Sequence, residues 1–188
     1  MPAEGGAAGE FAPRGWAVEG EASGDLNGDG AADVALTLVE ASRGAGRDET
    51  EERHRALVIL LRGADGRLRR AAVAGRLLQC TKCGGAFYGA AQASAEVKIE
   101  RGVLVVRQDH GSRNVVEQTF RFRYDPAAKK FALIGYDEID RDRATGEHVE
   151  ESTNYLTGVK IVKRSQYDGR LDRDVLKSTA RTRVGRHA

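Results

Sequence analysis

Apolar and polar residues alternate with a period of two through much of the chain after residue 15. In "AEVKIE", Val97 and Ile99 fall on one face and Glu96 and Lys98 on the other, and in "TFRFRY" aromatic residues alternate with arginines. This alternation is typical of a β-strand with one buried face. The pattern therefore predicts strands as the main elements of the chain.

Turn residues separate these runs at short intervals. Arg101-Gly102 follows "AEVKIE", Asp125-Pro126 follows "TFRFRY", "GADG" follows "RALVILLR", and Thr157-Gly158 interrupts "STNYLTGVKIVKR". Short connections of this composition favour hairpins. We therefore expect an all-β fold of antiparallel sheets joined by hairpins, either propeller-like or sandwich-like.

The two ends of the chain differ in composition from its middle. Residues 1–14 are mostly Gly, Ala, Pro and Glu, which predicts a disordered arm. Residues 165–188 are charged and poor in apolar side chains, which predicts a flexible tail. We therefore expect one β domain over residues 15–164, with disordered N- and C-terminal ends.

Charge and hydropathy exclude two classes of partner. The formal net charge of the 188 residues is only +2, and the arginines are spread among acids, so we expect no nucleic-acid partner. No apolar run approaches the roughly 20 residues needed to cross a bilayer, so we expect no membrane span. The Gly/Ala-rich start lacks the features of a signal peptide. Either the protein is cytosolic, or a leader has been removed from it, as a Gly/Ala-rich start of a secreted protein or lipoprotein suggests. A lipoprotein precursor would carry a lipid anchor.

The segment "GDLNGDGAADVAL" concentrates candidate metal ligands. Asp25, Asn27, Asp29 and Asp33 occupy loop positions one, three, five and nine, and position seven, Ala31, offers its backbone carbonyl. Calcium takes six to eight oxygen ligands, and a glycine at position six permits the sharp turn that brings them together. The spacing therefore predicts a structural Ca²⁺ site at these five residues, the alternative being a solvated turn without an ion.

The residues after this loop distinguish it from other calcium motifs. An EF-hand needs a glutamate at position twelve, where this chain has Leu36. The loop leads instead into "VALTLVE", which alternates as a strand does. The segment therefore resembles the loops of integrin-type FG-GAP repeats and related bacterial repeats, which join two β-strands around calcium.

Cys80 and Cys83 are the two cysteines of the chain. A structural zinc site needs four ligands, and a second Cys or His pair at suitable spacing is missing. A redox motif should open a helix, whereas two glycines come next here. We therefore expect a small disulfide, which implies an oxidising compartment, with reduced buried thiols as the alternative. Calcium and a disulfide together favour a periplasmic or secreted protein.

Two polar stretches are candidate catalytic sites, and we interpret both as non-catalytic. "QDHGSRN" contains Asp109 and His110 close to a serine, but neighbouring residues on a turn usually point apart, so it is interpreted as a hairpin loop. "YDEIDRDRATGEHVEE" contains acids, such as Asp137 and Glu138, of the kind glycosidases use. It is interpreted as a solvated loop with compensating arginines. We therefore expect no enzymatic activity.

Four segments together carry a wider resemblance: "WAVEGEASGDLNGDGAADVALTL", "LQCTKCGGAF", "FRFRYDPAAKKFALIGYD" and "NYLTGVK". They resemble a group of small bacterial extracytoplasmic proteins, often lipoproteins, and the likeness extends over most of residues 16–163. Some calcium-binding β proteins of the periplasm act as immunity proteins against lysozyme-like toxins. The resemblance implies a protein partner at the cell envelope, such as a peptidoglycan hydrolase, and makes Asp109, His110 and Arg113 the candidate inhibitory loop.

The sequence thus predicts a non-catalytic, calcium-stabilised extracytoplasmic β protein that recognises or inhibits an envelope protein. The first alternative is a structural or carbohydrate-binding envelope module. The second is a hydrolase that uses loop carboxylates.

Overall fold

The computed structural model describes residues 1–42, 51–87 and 91–185, in which the chain forms β-strands and two short 3-10 helices. The helices lie at Ala8–Phe11 and Gly85–Phe87. The strands, in chain order, are β1 Glu4–Gly5, β2 Trp16–Gly24, β3 Asp33–Glu40, β4 Arg55–Arg62, β5 Leu68–Ala74, β6 Ala95–Glu100, β7 Val103–Gly111, β8 Asn114–Asp125, β9 Lys130–Asp142, β10 Glu147–Asn154, β11 Val159–Asp168 and β12 Arg173–Arg183.

The strands form two sheets, of order β1-β5-β4-β3-β2 and β12-β11-β10-β9-β8-β7-β6. Every pair of neighbours is antiparallel. The prediction of an all-β fold built from antiparallel hairpins is confirmed. The four predicted turns connect β4 to β5, β6 to β7, β8 to β9, and β10 to β11. The chain turns at these places because Gly, Asn and Asp residues tolerate the backbone conformations of a tight turn.

The two sheets pack face to face, which makes the fold sandwich-like. Leu57 and Ile59 of β4 belong to the same buried cluster as Leu104 and Val106 of β7. The alternating pattern of β6 follows from this arrangement, because Val97 and the other inward residues line the cluster while the charged residues face solvent. The core between the sheets is formed by the first sheet and the β6–β9 half of the second.

The N-terminal segment differs from the prediction of a disordered arm. Strand β1 pairs with β5, and Phe11, which is fully buried, packs against Leu36, Leu60 and Leu68 on the outer face of the first sheet. The physical reason is that β3 is apolar on both faces, so both of its faces need cover. The arm is therefore part of the fold.

The C-terminal segment also differs from its prediction. Strand β11 runs through the expected domain boundary at residue 164 and pairs with β12, which ends at Arg183. The sequence predicted β11 as far as residue 164, in the hairpin that pivots on Thr157-Gly158, but it missed β12, which is exposed along almost its whole length. Backbone pairing with a preceding strand extends the second sheet here without a hydrophobic face.

Candidate calcium site

The acidic loop connects β2 to β3, at one end of the first sheet. Gly24 and Asp33 form the last pair of the β2–β3 ladder, so the loop between them projects from the end of the sheet. Two glycines inside it, Gly28 and Gly30, have φ angles of 82° and 85°, which side-chain-bearing residues rarely adopt. The sequence folds tightly here because glycine stands at both positions.

Asp25 organises the first half of the loop. One of its carboxylate oxygens accepts a hydrogen bond from the backbone N–H of Gly28 at 2.7 Å, and the other accepts one from Gly30 at 2.9 Å. A carboxylate has about four lone-pair positions, so each oxygen retains one for a cation. The side chain that closes the turn can therefore also serve as a ligand.

Asn27 and Asp29 interact with one another and with the second half of the loop. The side-chain oxygen of Asn27 accepts from the N–H of Asp29 at 3.0 Å, and its amide donates to an Asp29 oxygen at 2.9 Å. The other Asp29 oxygen accepts from the N–H of Ala31 at 2.8 Å. These bonds, led by the one from Ala31, lower the pKa of Asp29, so its exposed carboxylate carries a negative charge at neutral pH.

Asp33 has a different environment from the other acids of the loop. Its side chain is fully buried, and its two oxygens accept hydrogen bonds from the N–H groups of Leu26 at 2.8 Å and Arg62 at 2.7 Å. Burial raises the pKa of this carboxyl, and the two N–H groups oppose that rise. Asp33 thus joins the loop to β4. The spacing of the acids predicted it as a calcium ligand and could not distinguish that role from this structural one.

The loop offers oxygen donors of the kind that calcium prefers. These are the carboxylates of Asp25 and Asp29, the amide oxygen of Asn27 and the carbonyl of Ala31. Among the described residues, a group of three acid, His or Cys ligand atoms within 4.8 Å of one another forms at Glu52, Cys80 and Cys83, not at the loop. The three acids of the loop therefore do not form so compact a group in this structure.

A cleft of about 610 Å³ adjoins the loop, and sequence reasoning did not indicate it. Its lining includes Asp25 and Asn27 of the loop, Arg101 of the β6–β7 turn, and Arg123 and Tyr124 of β8. These residues come from turns and strand ends that are far apart in sequence, so the cleft could not be predicted from any short stretch of the sequence. It places two arginines beside an acidic loop.

Cys80 and Cys83, predicted to be bonded, have their sulfur atoms 2.09 Å apart, at disulfide distance. Thr81 between them is fully buried, and its hydroxyl oxygen accepts from the N–H of Arg53 at 3.0 Å. Bonded sulfurs do not act as thiolate ligands, which leaves Glu52 as the one available ligand in the group that it forms with the two cysteines. The Cys80–Cys83 turn therefore holds the connection between β5 and β6 against the segment that precedes β4.

Asp109, His110 and Arg113, the predicted partner-binding residues, do not form an extended loop. Asp109 and His110 directly precede Gly111, the last residue of β7. Only Ser112 and Arg113 lie between β7 and β8, so the expected hairpin loop is a tight turn. Arg113 is an exposed residue of that turn and donates three hydrogen bonds to Asp142, the shortest being 2.6 Å.

This turn and the disulfide turn contact each other. The N–H of Gly111 donates to the carbonyl of Gly84 at 2.9 Å. A Cβ added at Gly85 would lie 2.6 Å from the carbonyl oxygen of Gly111, so the two turns approach more closely than any residue except glycine allows. "CTKCGG" and "HGSRN" thus form one surface feature, a contact that neither motif reveals on its own.

The acids of "YDEIDRDR" lie in a strand, and the prediction of a solvated loop there is wrong. They belong to β9, where successive side chains point to opposite faces, so Asp137 and Glu138 diverge. Asp137 pairs with Arg121 at 2.6 Å, and Glu138 accepts from Gln118 at 3.0 Å and from the phenol of Tyr136. Burial and the neighbouring carboxylate raise the pKa of Tyr136, so the phenol keeps its proton.

Arg55 is a further polar residue that sequence reasoning missed. Its side chain is 5% exposed and pairs with Glu19 through contacts of 2.6 and 2.7 Å. It also donates to the carbonyls of Gln79 and Ala93. The arginine thus joins β2, β4 and the long connection that carries the disulfide. In the sequence, the one sign of this role was a charged residue at the start of the apolar run of β4.

No protein-family model, no curated protein and no solved structure matches this chain. In the described part of the chain, no helix has the length and apolar character needed to span a membrane. Resemblance to the extracytoplasmic calcium-loop proteins therefore stays a prediction that depends on the motifs.

Proposed function

We propose that this protein is a calcium-stabilised β protein that binds another protein of the cell envelope without catalysing a reaction. The observation that carries the calcium part is the loop between β2 and β3, in which exposed carboxylate and amide oxygens are held by short hydrogen bonds to the loop's own N–H groups. A loop ordered in this way loses less entropy when it binds an ion. The proposed ligands are Asp25, Asn27, Asp29 and the carbonyl of Ala31, with Asp33 as the anchor.

The disulfide-distance pair supports an extracytoplasmic location. Disulfides persist in the periplasm and in secreted proteins and are rare in the reducing cytosol. Calcium is also a common ligand of extracellular modules that bind it weakly. The pairing of Cys80 with Cys83 therefore agrees with a periplasmic or secreted protein.

The proposed recognition surface is the joined pair of turns around Gly84 and Gly111. Arg113 presents its guanidinium there, and Asp142 holds it in one orientation. A side chain ordered before binding costs less entropy at an interface. We propose that the partner is a peptidoglycan hydrolase whose acidic cleft receives Arg113, with His110 beside it.

Inhibition assays test the partner. A lysozyme-like hydrolase should lose activity with a stoichiometric amount of the protein, and Arg113→Glu should restore that activity by placing like charges at the contact. Lys177→Glu, a charge reversal on the exposed strand β12, is the matched control and should inhibit as the wild type does. Full hydrolase activity in an excess of wild-type protein would reject this partner.

Thermal unfolding tests the calcium part of the proposal. At a free calcium concentration 100 times its dissociation constant, binding stabilises the fold by about 2.7 kcal/mol. For a chain of this size the Tm should then fall by about 5–10 °C in EDTA. Asp29→Asn keeps an oxygen for the Ala31 N–H but removes the charge, and a site weakened at least tenfold should lose about half of this difference or more.

Asp65→Asn is the matched control for the melting experiment. Asp65 is also an exposed turn aspartate that accepts a backbone N–H, but it lies in the β4–β5 turn. Its variant should keep the full response to EDTA. An identical Tm for the wild type in calcium and in EDTA would reject the calcium site.

A further inference from the structure

Strand β12 is a free edge of the second sheet. It pairs with β11 on one side, and no strand of the described part of the chain lies on its other side. Its 11 residues are exposed along almost the whole strand. The other sheet edges are less accessible, because β1 has only two residues and because β2 and β6 contact each other. The outward N–H and C=O groups of β12 can therefore pair with a further strand.

A bulge in β12 reverses the alternation of its side chains. Leu176 is opposite Ser165, and Ser178 is opposite the neighbouring Arg164, so Lys177 is an extra residue in the strand. Residues opposite one another on paired strands point to the same face of the sheet, whereas neighbours along a strand point to opposite faces. Leu176 and Ser178 therefore lie on opposite faces, although residues two apart in a regular strand share one.

The bulge thus brings residues from the two halves of β12 onto common faces. One face carries the residues opposite odd-numbered positions of β11, which are Asp174, Leu176, Thr179, Arg181 and Arg183. The other face carries the residues opposite even-numbered positions, which are Arg173, Val175, Ser178, Ala180 and Thr182. On the first face the acid lies in the first half of the strand and the bases lie in the second half. An antiparallel copy of this strand is therefore complementary to it in charge.

Asp174 and Arg181 are both available for a contact with another chain. The side chain of Asp174 is 47% exposed, and one of its oxygens lies 3.1 Å from Nδ1 of His148, which leaves the other oxygen for a partner. Arg181 is exposed and has no ion-pair partner among the described residues. Opposite charges directly across an antiparallel pair of strands stabilise the pairing, and like charges destabilise it. The edge therefore favours a strand that places a base opposite Asp174 and an acid opposite Arg181.

We infer that β12 pairs antiparallel with β12 of a second copy of this chain, about a two-fold axis between Lys177 and Ser178. Asp174 of each copy then lies opposite Arg181 of the other, with the two side chains on the same face. Such an interface uses one patch on both copies and joins their second sheets edge to edge. The inference depends neither on the calcium site nor on a hydrolase partner.

Other arrangements of two copies fit β12 less well. A parallel copy in register would place every arginine beside its own equivalent, and charged residues at a free edge normally prevent such pairing. The antiparallel register also places Val175 opposite Ala180 and Leu176 opposite Thr179. Leu176 is 58% exposed, more than any other large apolar side chain of the described residues, and the second copy covers part of it. Because a single pair of strands buries little area, the dimer should be a weak one.

Sedimentation equilibrium of the full chain tests the inference. From low micromolar to millimolar protein, the weight-average mass should rise from that of one chain toward that of two. Arg181→Asp places like charges opposite each other and should weaken the dimer about tenfold or more. Asp174→Arg/Arg181→Asp exchanges the two charges and should restore the dimer. Arg123→Asp, at an exposed arginine of β8, is the matched control and should dimerise as the wild type does.

A cysteine pair tests the register if the charge exchange, which removes the contact of Asp174 with His148, prevents folding. Val175→Cys/Ala180→Cys places the two new cysteines opposite each other across the axis and should give a disulfide-linked dimer on mild oxidation. Val175→Cys alone should not, because the axis keeps the two copies of that residue apart. A folded wild type that stays monomeric at millimolar concentration would overturn the inference. An Arg181→Asp variant that dimerises as tightly as the wild type would overturn it as well.

Discussion

At the scale of single residues, Arg113 and Asp142 form an exposed ion pair that holds the proposed recognition turn. The guanidinium keeps the pKa of the Asp142 carboxyl well below its usual range. We expect a carboxyl NMR titration to show this low value in the wild type, and Arg113→Gln to raise it toward the ordinary aspartate value of about 3.9.

The sign of the pH effect follows from this shift. Because the pKa of Asp142 is lower in the folded than in the unfolded chain, the pair stabilises the fold above the unfolded pKa, and the contribution is lost as pH falls. Asp65, whose pKa is lowered to about 2 mainly by Arg69, is the internal control and should not change in Arg113→Gln. An ordinary titration of Asp142 in the wild type would contradict the ion pair.

Arg55 gives a prediction about stability. Arg55→Met leaves the carboxylate of Glu19 without its partner and removes a donor from two carbonyls. Because Glu19 is exposed and water can solvate its carboxylate, the loss comes mainly from the two carbonyls and from packing, and we expect about 1–3 kcal/mol in urea unfolding.

Two further variants interpret that loss. Glu19→Leu together with Arg55→Met removes both charges and should recover part of the stability. Arg107→Met removes an exposed arginine whose contact with Glu96 is 3.5 Å, and should change stability by less than about 1 kcal/mol. If Arg55→Met costs no more than Arg107→Met, the buried Arg55 side chain has no special role in stability.

At the scale of elements, the N-terminal arm is the clearest difference between sequence and structure. Phe11→Ala removes a fully buried ring from the outer face of the first sheet. Such truncations cost about 3–5 kcal/mol, and the urea midpoint should fall accordingly. Val73→Ala, at a side chain that is 52% exposed, is the control and should have little effect. Wild-type stability in Phe11→Ala would mean that the arm is disordered, as its composition predicted.

The hairpins could be predicted because their information is local. The turn at Arg101 and Gly102 combines positive φ angles of 52° and 76° with alternating residues on both sides, so a short stretch of sequence specifies the β6–β7 pair. The arm could not be predicted in this way. Its order comes from one buried phenylalanine on the face of β3 and β4, a contact between distant segments.

The last residues of β11 and the whole of β12, for which the composition predicted a flexible tail, illustrate the opposite limit. β11 and β12 lie at the outer end of the second sheet, and most of their side chains are exposed or half-buried. A sequence that buries little apolar area is interpreted as a tail even where backbone hydrogen bonds form a sheet. A strand that pairs without burying a hydrophobic face does not need alternating apolar and polar residues, so its sequence lacks the pattern that predicts a strand.

At the scale of the whole molecule, the sequence predicted the position of the candidate site but not its surroundings. Ligand spacing and glycines located the loop at Asp25–Asp33, because all the relevant residues are within nine positions. The anchoring of Asp33 to Arg62 and the arginines of the adjoining cleft depend on how the strands and sheets meet. Those contacts join residues that are far apart in sequence, so sequence patterns do not predict them.

Equilibrium dialysis against radioactive calcium tests the central claim, that the β2–β3 loop binds the ion, most directly. The folded wild type should bind one Ca²⁺ for each chain, and Asp29→Asn should bind it at least tenfold more weakly while Asp65→Asn binds it normally. A folded wild type that retains no calcium at millimolar concentration, or an Asp29→Asn variant that binds as tightly as the wild type, would contradict the claim.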